Sequence, residues 1–103
     1  MPAALADLDR ALSLRDDPEM RFNRAVLLAE TGRHAEAVDD LTVAGESSDD
    51  PQIRWERARS LLALGDTRAA DDDLRACAAA DPDLADQVRR LRPQLLEPLI
   101  PAT

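Results

Sequence analysis

A chain of 103 residues supports one small domain, and its formal net charge of −8 opposes binding along a phosphate backbone. Aromatic residues amount to 2%, Phe22 and Trp55, so the core must be built from Leu and Ala, which suits packed helices better than a β-sandwich. All 13 basic residues are Arg, and Cys77 is the single cysteine, which leaves no internal disulfide and no Cys/His metal spacing. No apolar run nears the ~18 residues that would span a bilayer. The first residues lack the layout of a signal peptide, so the expected setting is cytoplasmic and reducing.

In chain order, the apolar spacing predicts a helix over 3–14, with Leu5, Leu8 and Leu12 facing the next element. Asp17 before Pro18 reads as an N-cap and a first-turn proline, opening a helix over 18–31 that Gly32 stops. A helix over 34–46 follows. Asp50 and Pro51 then repeat the start signal for 51–64, Gly65 repeats the stop, and a helix covers 67–80. The last helix, 83–92, should end or kink at Pro93.

These elements are copies. A shift of 33 residues superposes Ala4, Ala37 and Ala70; Asp7, Asp40 and Asp73; Leu8, Leu41 and Leu74; and Ala11, Ala44 and Cys77. The same shift takes Phe22 to Trp55, Arg24 to Arg57, Ala25 to Ala58, Leu28 to Leu61 and Gly32 to Gly65. A fixed period of this kind marks a stacked two-helix unit. The expectation is an all-α, right-handed helical-repeat solenoid of antiparallel helix pairs, about six helices in all. It comprises an N-terminal half repeat at 1–15, repeats at 17–49 and 50–82, and a C-terminal capping helix with an apolar tail at 83–103. One continuous apolar seam should join the hairpins.

The unit resembles the tetratricopeptide repeat. Ala25 and Ala58 stand where that family has a small Gly, and Leu28 and Leu61 where it has Tyr. Ala37-x3-Leu41 and Ala70-x3-Leu74 match its A-x3-F, and Pro82 matches its closing Pro. Arg21, Arg24, Arg54 and Arg57 replace its Trp and Leu, with Phe22 and Trp55 one place later supplying aromatic packing. The ankyrin repeat shares the period, but its T-P-L-H-x-A signature is missing. The resemblance implies a non-enzymatic scaffold that receives a peptide or partner helix in a groove lined by the first helix of each unit. By matched position the candidates are Phe22, Asn23, Val26, Trp55, Glu56, Arg59 and Leu62. Asn23 stands where peptide-binding members often place an Asn, and Arg59 offers a planar fork for a carboxylate.

The run Asp71-Asp72-Asp73 looks like a metal site, but Asp72 and Asp73 copy Asp39 and Asp40, and only Asp71 is new. Adjacent helical positions point about 100° apart, so the expectation is a solvated helix face and no metal. Periodic pairs between Arg24 or Arg57 and the repeated Asp residues are expected, with Arg90 continuing the series and each pair contributing about 0–1 kcal/mol. His34 reads as a surface residue and Cys77 as a buried, inert thiol. No cofactor and no catalytic set are expected. The open first helix and the apolar Leu95, Leu96, Leu99 and Ile100 mark a second reading, an assembly or homo-oligomerisation module. In that reading the chain could be a piece of a larger repeat protein. The tail is expected to fold back as a cap.

Overall fold

The computed structural model describes residues 3–96, six α-helices with no strand among them. They are α1 (Ala3–Leu14), α2 (Pro18–Glu30), α3 (His34–Ser47), α4 (Pro51–Ala63), α5 (Thr67–Ala80) and α6 (Pro82–Leu91). Each helix packs on its neighbour in the chain, and α2 also touches α4. The result is an elongated array of 59 × 24 × 19 Å.

Local chemistry sets the ends of the helices. The Asp17 carboxylate accepts from the backbone N–H groups of Glu19 and Met20, Asp50 from Gln52, and Asp81 from Asp83, each with proline next in sequence. At the other ends, Gly32 and Gly65 have φ of +80° and +86°. Around Gly32, the N–H of Arg33 donates to Leu28 O at 2.8 Å and that of Gly32 to Ala29 O at 3.0 Å. The copy matches, with Asp66 to Leu61 at 2.9 Å and Gly65 to Leu62 at 3.1 Å. Both turns are Schellman caps, so the two hairpins close in the same way.

The core also comes in two copies rather than one continuous seam. Ala25, Leu28, Ala37, Leu41 and Ala44 are buried with Leu5 and Ile53 in the first cluster. Their counterparts Ala58, Leu61, Ala70, Leu74 and Cys77 are buried with Leu84 and Val88 in the second. Each hairpin thus carries its own core, closed by the first buried side chain of the next helix. The small alanines let the paired backbones approach without a void.

One link breaks the period. Three residues join α1 to α2 and α3 to α4, but Asp81 alone joins α5 to α6. Losing two residues rotates α6 relative to α2 and α4, so Leu84, Ala85 and Val88 face α5. Asp83, Asp86, Gln87, Arg89 and Arg90 are exposed, so the face of α6 turned from α5 is polar. The helix stops before Pro93, where Arg92, at φ −133° and ψ 79°, has left the α region that a following proline disfavours. Leu95 and Leu96 then fold back onto the second cluster, while Leu99 and Ile100 lie outside the described residues.

Candidate functional site

The repeated Arg residues are structural. Arg24 Nε and Nη2 donate to the Asp40 carboxylate at 2.7 and 2.6 Å, and Arg57 repeats both bonds to Asp73 at 2.7 and 2.6 Å. Asp40 and Asp73 are only 4% and 6% exposed, so these are not the weak surface pairs that the sequence led us to expect. Each fork crosses its own hairpin. Arg90 does not continue the series, because the shortened link moves it to the exposed side of α6.

The acidic run is not a uniformly solvated face. Asp73 is buried on Arg57, while Asp71 accepts from Arg92 Nε and Nη2 at 3.0 Å each. Asp72 alone stays in solvent, 3.5 Å from Arg75. The extra aspartate therefore clasps the chain beyond α6 to α5. Cys77 is fully buried and donates to Pro51 O at 3.3 Å. Burial, aided by nearby Asp73, pushes its thiol up to about 11, so it remains protonated and unreactive near neutral pH.

The sequence-derived groove residues separate into three places. Phe22 and Asn23 line a depression of roughly 420 Å³ against Ile53 and Ser48. Val26, Glu56 and Arg59 line a second one, of roughly 240 Å³, between α2 and α4. Trp55 and Leu62 line neither; they are half-buried against the second core cluster. Arg59 is 59% exposed on its side chain and reaches Glu56 only at 3.6 Å, so its guanidinium remains available.

Four residues of the second cleft, Ala29, Glu30, His34 and Ser60, escaped the sequence reading. His34, at the start of α3, is half-buried rather than a surface residue, and its Nδ1 lies 3.1 Å from Ser60 Oγ on α4. Ser60 is 1% exposed, so this bond satisfies a hydroxyl that would otherwise be buried without a partner. The one sequence signal was that Ser60 breaks the repeat, standing where the first unit has Leu27.

That signal applies to the whole cleft. Its lining is Val26, Ala29, Glu30, His34, Glu56, Arg59 and Ser60. Shifted by one unit, the corresponding positions hold Arg59, Leu62, Ala63, Thr67, Asn23, Val26 and Leu27. Every lining residue differs from its counterpart, whereas the cores beneath are nearly identical. Comparison with family models, curated proteins and solved structures found no match. The functional reading therefore rests on this geometry.

Proposed function

We propose that the chain is a non-catalytic, tetratricopeptide-like repeat module that binds a peptide or helical segment of another protein in the cleft between α2 and α4. The observation that carries this reading is the contrast between a repeated scaffold and an unrepeated cleft. Residues needed for stacking recur in both units, while those around the cleft are free to suit a ligand. Val26 and Ala29 supply apolar floor, Glu30 and Glu56 accept donors, and Arg59 presents a fork for a carboxylate or a main-chain carbonyl. Selection from a displayed random-peptide library tests the idea. Enriched sequences should bind the intact chain and lose about tenfold or more in affinity with Arg59→Glu. Arg89→Glu, on the exposed face of α6, should leave binding unchanged. An unenriched library, or equal loss with both variants, would remove the reading.

A further inference from the structure

Carboxylates that leave solvent in this fold are held by donors. Asp9, Asp40, Asp71 and Asp73 accept from arginines, and Asp17 and Asp81 from backbone N–H groups. Among the described residues, Glu56 is the one half-buried or buried acid that accepts no hydrogen bond. Its side chain is 19% exposed, close to the 16% of Asp71, yet Arg59 comes no nearer than 3.6 Å. A carboxylate so far removed from water ordinarily has a donor, and here the donor is missing.

Glu56 lines the cleft between α2 and α4 together with Glu30, the last residue of α2. Glu30 also lacks an ion pair and a hydrogen bond among the described residues. Neither acid is repeated: their counterparts are Asn23 and Ala63. The depression at Phe22 adds Glu19 and Asp50, and Arg59 is the one arginine in either lining. The groove is therefore acidic, and it lacks a cation where Glu56 lacks a donor.

We infer that the segment bound in this cleft carries an arginine, its guanidinium shared by Glu56 and Glu30 and its methylenes lying over Val26 and Ala29. A guanidinium presents five donors in one plane, so it can serve two carboxylates, and it tolerates partial burial better than a strongly hydrated ammonium. Arg59 then donates to a main-chain carbonyl of the segment rather than to a carboxylate. The formal net charge of −8 favours the same class of partner. The inference rests on the cleft being the binding site, and it supplies the chemistry of the ligand.

Peptides enriched from a displayed random library on the intact chain, then synthesised and titrated, test it. They should share an arginine, and replacing it with citrulline, which keeps the shape and loses the charge, should weaken binding about tenfold or more. Glu30→Arg, at an exposed position, should do the same, and should favour the peptide with glutamate in place of its arginine. Asp72→Arg, an equal change of charge at an exposed position on α5, should alter affinity less than about twofold. Peptides that share no arginine, or that respond equally to Glu30→Arg and Asp72→Arg, would overturn the inference and leave the cleft as the binding site if Arg59→Glu still weakens them. A library without enrichment, or equal loss with Arg59→Glu and Arg89→Glu, would remove the cleft reading and this inference with it.

Discussion

At the residue scale, the two Arg–Asp forks are the most consequential polar contacts, because burial of the aspartate changes their role. An exposed pair contributes little, but a buried carboxylate left without its partner costs its desolvation. Arg57→Met should therefore destabilise the fold by about 1–3 kcal/mol, whereas Arg59→Met on the same helix should fall within about 0.5 kcal/mol of wild type. Adding Asp73→Leu to Arg57→Met should recover much of the loss, since neither charge is then stranded. Urea titration of the four proteins gives the comparison, and equal effects of Arg57→Met and Arg59→Met would refute the role assigned to the fork. The matching of Arg24 and Arg57 with repeated aspartates was legible in the sequence. Burial of the carboxylates was not, because the pattern of charges does not reveal which side of a hairpin is closed to water.

At the element scale, the period of 33 located the helices to within a residue or two, since caps, prolines and glycines act through near neighbours. The three glycines divide accordingly. Gly65 holds a left-handed turn with nothing within 4 Å of an added Cβ, so Gly65→Ala should cost about 1–2 kcal/mol from backbone strain alone. Gly45 lies inside α3, and its added Cβ would sit an ordinary 3.8 Å from Ile53. Gly45→Ala should instead stabilise by about 0.5–1 kcal/mol. Opposite shifts in thermal midpoint would support this division; two losses would show α3 to be more tightly packed against α4 than its geometry indicates. The misjudged element was α6. The shortening was legible, since Pro82 follows Pro51 by two residues fewer than Pro51 follows Pro18; the strict period carried past it to Arg90, whereas the structure leaves Arg90 in solvent and Val88 in the core.

For the whole molecule, contacts between consecutive helices dominate, so stability should be distributed hairpin by hairpin. A chain ending at Asp81 loses the cover that Leu84 and Val88 provide over the second cluster. Amide exchange should accelerate in α4 and α5 and change little in α2 and the first half of α3. Uniform acceleration along the chain would mean that the array unfolds as one cooperative block. The proposed cleft lies where the repeat is interrupted, among unrepeated residues between α2 and α4.

By itself, the sequence determined the all-helical class, the hairpin unit, its caps and the small residues at its centre. All of these depend on spacing within about one repeat, where the chain reports its own geometry. Tertiary structure decided which carboxylates are buried, that Asp71 clasps Arg92, and that His34 meets Ser60 across two helices. The last two pairings join residues more than twenty positions apart, and all of them depend on how helices pack against one another, which near-neighbour spacing does not report.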